Sequence, residues 1–208
     1  MKKTFLLSCL MLAAMPVMAA YTGHVYVDKN KNGVFDQSEK PLAGIKVSDG
    51  LNVVETAADG SFTLPGHERE RFIFITTPSG YKTFNRHYHK IEKKQSGYDF
   101  GLIPYSGRIR KDGSHRYIHI TDTEIFNTEN HADWVNNVRD YARNEQAAFI
   151  IHTGDICYEK GLKAHIKLMN TENMDCPVFY CIGNHDLVKG KYGEELFESI
   201  YGPVYYSF

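Results

Sequence analysis

Three apolar runs in the second half of the chain, RYIHIT (116–121), AAFIIHTG (147–154) and PVFYCIGN (177–184), are separated by two amphipathic stretches. The first stretch, ADWVNNVRDYARNEQ (132–146), sets Trp134, Val138, Tyr141 and Ala142 at helical spacing, and LKAHIKLMN (162–170) follows the same period. Strand, helix, strand, helix, strand at this spacing predicts βαβ units and a parallel sheet buried on both faces. Right-handed crossovers bring all three strand ends out on the same edge of such a sheet. That carboxyl edge is where open α/β sheets bind ligands.

Each run stops at residues of ligand chemistry. Asp122 sits in TDTE (121–124), Asp155 and Tyr158 in GDICY (154–158), and Asn184, His185 and Asp186 in GNHD (183–186). Successive ends lie roughly 30 residues apart, the length of one βαβ repeat. Two carboxylates, an amide, a phenol and an imidazole therefore meet in one crevice. Hard oxygen donors with imidazole suit Mn, Fe or Zn. A carboxylate can bridge two such cations, and two metals about 4 Å apart clamp the attacking and leaving oxygens of a displacement at phosphorus. Gly154 and Gly183 let the backbone bend sharply at the strand ends. An Asp after a strand is by itself an ordinary turn residue, and a lone GD or GNH says little. The ordered triple is the specific signal. His119 and His152, inside apolar strands, read as core or supporting histidines, and His165 as an ordinary helix residue.

Residues 21–105 have a different rhythm. HVYV, GIKVS, NVVET, SFTL, RFIFIT and YDFGLI are short bursts separated by turn-rich spacers, which predicts an all-β sandwich. LAGIKVSDGLNVVETAADGSFTLP (42–65) resembles the carboxypeptidase-regulatory and Cna-B-type β-sandwich modules of exported proteins. Within this half, DKNKNGVFDQSE (28–39) fits the calcium-loop pattern D-x-N-x-N-G-x5-E at every defined position. Asp28, Asn30, Asn32, Asp36 and Glu39 would offer side-chain oxygens, Val34 its carbonyl, and Gly33 the turn. The flanks are strands rather than the helices of an EF-hand, so the loop resembles the calcium loops of bacterial surface β-sandwiches; the competing reading is an Asn/Gly-rich turn without an ion. The basic stretch NRHYHKIEKK (85–94) reads as a solvated loop or strand face.

At the N-terminus, Lys2 and Lys3 precede an apolar stretch that ends in Ala19 and Ala20. This order predicts a secretory signal peptide over residues 1–20, hence an exported protein, periplasmic or extracellular, with no transmembrane segment. A net charge of −1 gives no basic surplus for nucleic acid or anionic lipid. Beyond the leader, Cys157, Cys176 and Cys181 are an odd set that excludes a full disulfide framework. Cys176 and Cys181 could pair in an oxidising compartment, but Cys181, within VFYCI, reads at least as well as a buried thiol.

The motifs D122-x-E, G154-D-I-C-Y158 and G183-N-H-D186 resemble the first three motifs of the calcineurin-like metallophosphoesterases, in order and spacing. YGPVYYSF (201–208) is similar to the segment that follows them, so the resemblance covers roughly residues 115–208. It implies an N-terminal β-sandwich (21–105) followed by the first half of an α/β/β/α-type metallophosphatase domain (106–208). The implied activity is hydrolysis of a small phosphate mono- or diester by a hydroxide held on two metals. Residue by residue, Asp155 would bridge the metals, with Asp122 on the first and Asn184 on the second. His185 would meet the phosphoryl oxygens or the leaving group, oriented by Asp186. The common D-x-H form has a His where Glu124 stands. The purple-acid-phosphatase branch lacks that His and supplies the Tyr of GDxxY, which implies Tyr158 as the compensating ligand. Glu124 then supports the site, or binds metal itself. The family's later His motifs have no match here, which implies a fragment that is inactive alone. The competing class is a non-catalytic, calcium-dependent surface or carbohydrate-binding protein.

Overall fold

The computed structural model describes residues 20–105 and 108–208. The expected signal peptide, except Ala20, lies outside the described residues.

Nine strands form the first half: β1 (Ala20–Val27), β2 (Lys40–Pro41), β3 (Lys46–Ser48), β4 (Val53–Glu55), β5 (Ser61–Pro65), β6 (Phe72–Ile75), β7 (Tyr81–Thr83), β8 (Tyr88–Lys90) and β9 (Phe100–Pro104). One sheet runs β2-β1-β9-β7 with β5 also paired to β1, and the other runs β4-β3-β6-β8. The facing sides share one core, with Val25, Phe62, Leu64, Phe100 and Leu102 from the first sheet and Val47, Ile73 and Ile75 from the second. This is a sandwich closed by alternating inward side chains.

β6 departs from that alternation, because all four residues of Phe72-Ile73-Phe74-Ile75 are buried. Ile73 and Ile75 enter the sandwich core, whereas Phe72 and Phe74 join Tyr88 in a second cluster against which Tyr206 packs. The outer face of this sheet is therefore the seat of the second half of the chain. The stretch expected to be a basic loop or strand face contains β8, whose Tyr88 is buried in that interface.

The second half runs β10 (Tyr117–Ile120), α1 (Ala132–Asn144), β11 (Phe149–His152), α2 (Glu159–Leu168), β12 (Val178–Tyr180) and α3 (Glu195–Tyr201). β10, β11 and β12 pair in parallel, with Ile120 beside His152 and His152 beside Tyr180. Ile150, Val178 and Tyr180 pack on Val135, Ala142, Leu162, Phe197 and Tyr201 to form the core on the helical side.

Two expectations are corrected here. The sheet is not buried on both faces, since Tyr117 and His119 of β10 are exposed. The face away from the helices carries Tyr117, Phe149, Phe179 and Phe208, with ring centroids 5.4 Å apart for the first pair and 3.9 Å for the last. The buried stripe of α1 is Val135 and Ala142 with Val138 beside them, while Trp134 and Tyr141 face outward. Both stripes fit a 3.6-residue period, and the smaller side chains let the helix approach the sheet. Among the described residues, no helix is long and apolar enough to cross a membrane.

Candidate metal centre

Backbone contacts join the three strand ends before any side chain does. Thr153 N–H donates to the Ile120 carbonyl (2.9 Å), Asp122 N–H to that of Gly154 (3.2 Å), and Cys181 N–H to that of His152 (2.7 Å). A Cβ on Gly154 would lie 2.7 Å from Gly183 Cα, and one on Gly183 would lie 3.0 Å from Asp155 Cα. The two loops thus touch main chain to main chain, and only glycine fits. At this junction Asp122 (φ 52°), Glu124 (φ 44°) and Asp155 (φ 51°) all adopt the left-handed conformation. Each costs on the order of 1 kcal/mol, a strain that collects at functional sites.

Side chains then fix the arrangement. Asp155 Oδ1 accepts the His185 N–H at 3.0 Å. The His185 ring stacks on Tyr158, centroids 5.2 Å apart and planes 22° from parallel. Tyr158 is 56% exposed and immediately precedes α2. Asn184 is exposed at the start of a short 3-10 turn, and Glu124 is exposed in the TDTE loop.

The Asp186 carboxylate is fully buried and accepts N–H bonds from Ile156 (2.9 Å), Cys157 (3.1 Å) and Gly183 (2.9 Å). Among the described residues no imidazole bonds to it, and through these bonds Asp186 ties the β11 and β12 ends together. Burial raises its pKa above the ordinary carboxylate value, opposed by the three N–H groups.

His152 performs a similar linking role. It is fully buried, and its Nδ1 accepts the Gly154 N–H at 3.2 Å. The proton therefore sits on Nε2, 3.0 Å from the Thr123 hydroxyl, which in turn donates to the Ile156 carbonyl at 3.4 Å. Burial pushes its pKa down to about 4, so the ring is neutral. The sequence signal for this role was the His two residues before GD. Its strand neighbour His119, expected as a core or supporting histidine, is not in the core: it is exposed and hydrogen-bonded to the Thr153 hydroxyl at 2.8 Å. His165 is fully buried rather than an ordinary helix residue. Cys181 is exposed rather than buried, while Cys157 and Cys176 are buried and free.

The three ends thus lie on one edge. Their carboxylate and imidazole ligand atoms nevertheless do not gather into a group of three within 4.8 Å among the described residues. The Asp122 carboxylate accepts the Thr121 hydroxyl at 2.6 Å. The donor set of carboxylate, amide, phenol and imidazole fits Mn, Fe or Zn.

A tighter group lies elsewhere: Asp49, His67 and Glu70 in the β-module place one ligand atom each within 4.8 Å of one another. There, His67 Nδ1 accepts the Arg69 N–H at 3.2 Å, so its Nε2 carries the proton, 3.5 Å from an Asp49 oxygen. Asp49 also accepts the Leu51 and Asn52 N–H groups. Metal binding at this group requires the Arg69 bond to break.

Residues 29–104 match the family described as the N terminal of calcineurin-like phosphoesterase, and residues 115–207 match the calcineurin-like phosphoesterase family itself. Comparison with curated proteins gives no match. The two matches stand in the order of the β-rich and α/β halves. The chain belongs to the calcineurin-like phosphoesterases, a family of metal-dependent phosphoester hydrolases.

Proposed function

We propose that the protein hydrolyses a small phosphate mono- or diester at the carboxyl edge of β10, β11 and β12, with two transition-metal cations (Mn, Fe or Zn) as cofactors. Asp155 would bridge the pair, Asp122 and Tyr158 would hold the first cation, and Asn184 the second. When bound, the cations supply Lewis acidity and a nucleophilic water at neutral pH. The chain's own residues do the rest. His185, fixed by its N–H on Asp155 and by stacking on Tyr158, presents an imidazole to the phosphoryl oxygens or the leaving group. Asp186 and His152 hold the loops in register.

The observation that carries this reading is the clasp of the three strand ends, in which Asp122 and Asp155, both at positive φ, meet the Gly154–Gly183 contact. We also propose that the N-terminal segment directs export. The test is hydrolysis of p-nitrophenyl phosphate and bis-p-nitrophenyl phosphate by the full-length protein, stripped with chelator and then given Mn, Fe or Zn. Metal-dependent turnover of either ester is expected. Its absence with every metal overturns the proposal and returns the calcium-dependent binding reading.

A further inference from the structure

The loop Asp28–Glu39 between β1 and β2 holds carboxylates that no side-chain cation answers. Asp28 is 1% and Glu39 6% exposed. Among the described residues, no Lys, Arg or His lies within ion-pair distance of Asp28, Asp36 or Glu39. Buried charges in proteins are paired or hold metals, because an isolated one is strongly unfavourable. Asp28 accepts the N–H groups of Asn32 (3.2 Å) and Gly33 (2.9 Å), and Glu39 those of Lys29 (2.8 Å) and Asp36 (3.1 Å). On β9, a Cβ at Gly101 would come within 2.9 Å of Asp28 Oδ2, so that strand leaves room for the carboxylate.

Tyr26 is an independent observation. It is fully buried and its hydroxyl has no hydrogen-bond partner. It lies two residues before Asp28, on the same face of β1, with its ring 4.8 Å from that of Phe35 in the loop. After burial, the charges of Asp28 and Glu39 do most to hold its pKa well above the usual phenol value.

We propose that this loop is a calcium site, with Asp28, Asn30, Asn32, Asp36 and Glu39 as side-chain oxygen donors and Val34 as a carbonyl donor. An all-oxygen set of carboxylates, amides and a carbonyl suits calcium, whereas magnesium demands stricter octahedral geometry and keeps its waters. A hydrated ion also gives the Tyr26 phenol a partner. The site belongs to the β-module and is independent of the hydrolytic centre.

Calorimetric titration and thermal unfolding of the chelator-treated full-length protein, with calcium chloride and in parallel magnesium chloride, test it. Calcium is expected to bind with a dissociation constant of about 1 mM or tighter and to raise the unfolding temperature saturably. Magnesium is expected to bind at least about tenfold more weakly. Glu39→Gln is expected to weaken calcium binding at least about tenfold, since it removes the bidentate donor. Asn30→Ala, at an exposed position, is expected to weaken it severalfold, and it carries the test if Glu39→Gln does not fold. No saturable calcium effect up to about 10 mM, or unchanged affinity in every variant that folds, overturns the proposal.

Discussion

Asp122, Glu124 and Asp155 share a backbone conformation that costs energy, and the surrounding bonds show what maintains it. Asp122 is tied through its N–H to Gly154, Asp155 is tied to His185, and Asp186 and His152 brace the loops from beneath. Glu124 has no such tie among the described residues, and it is exposed. Tyr158, by contrast, is stacked in place against His185. This difference favours Tyr158 as the ligand that replaces the histidine of the D-x-H form. Metal analysis of the full-length protein is expected to show loss of one transition metal in Tyr158→Phe and retention in Glu124→Gln. The opposite pattern assigns the ligand to Glu124.

At the scale of elements, the interface between the halves rests on close packing. Gly202 follows α3 at φ 94°, and a Cβ there would lie 2.6 Å from a Tyr88 ring carbon. Tyr88 belongs to the Phe72–Phe74 cluster, and Arg71 meets the buried Glu198 carboxylate at 2.9 Å. Gly202→Ala combines overpacking with backbone strain and is expected to cost about 2–4 kcal/mol. A lower denaturation midpoint and faster proteolysis between β9 and β10 would register it. None of this interface was legible in the sequence. RFIFIT reads equally well as one strand of a sandwich and as a strand buried on both faces, and NRHYHK is too polar to announce a strand. The parallel order of β10, β11 and β12 was legible because their apolar runs are long and their spacers periodic. The choice of Val135 and Ala142 over Trp134 and Tyr141 depends on side-chain size against the sheet, which periodicity does not encode.

For the whole molecule, buried histidines set the response to acid. His165 is fully buried, with Nδ1 3.0 Å from the Tyr201 hydroxyl, and burial followed by His152 lowers its pKa from 6.5 to about 3. Tyr201 donates to the Leu162 carbonyl, so it accepts the proton of a neutral His165. As pH falls below about 6.5, the unfolded chain takes up a proton that the folded chain refuses, and stability is lost down to about pH 3. The slope from this group reaches about 1.4 kcal/mol per pH unit. Unfolding curves between pH 7 and pH 4, whose slope should be shallower in His165→Phe, measure it. The three strand ends that share one edge were readable from three motifs. Their bracing was not, because Asp186 and His152 act through backbone N–H groups that only the folded chain brings near. The central claim is that the three strand ends form one metal centre, and transition-metal content per full-length chain in wild type and Asp155→Asn tests it most directly. Two metals in the wild type, with loss of metal in a variant that still folds, is the expected result. Equal metal content in the two proteins would contradict it.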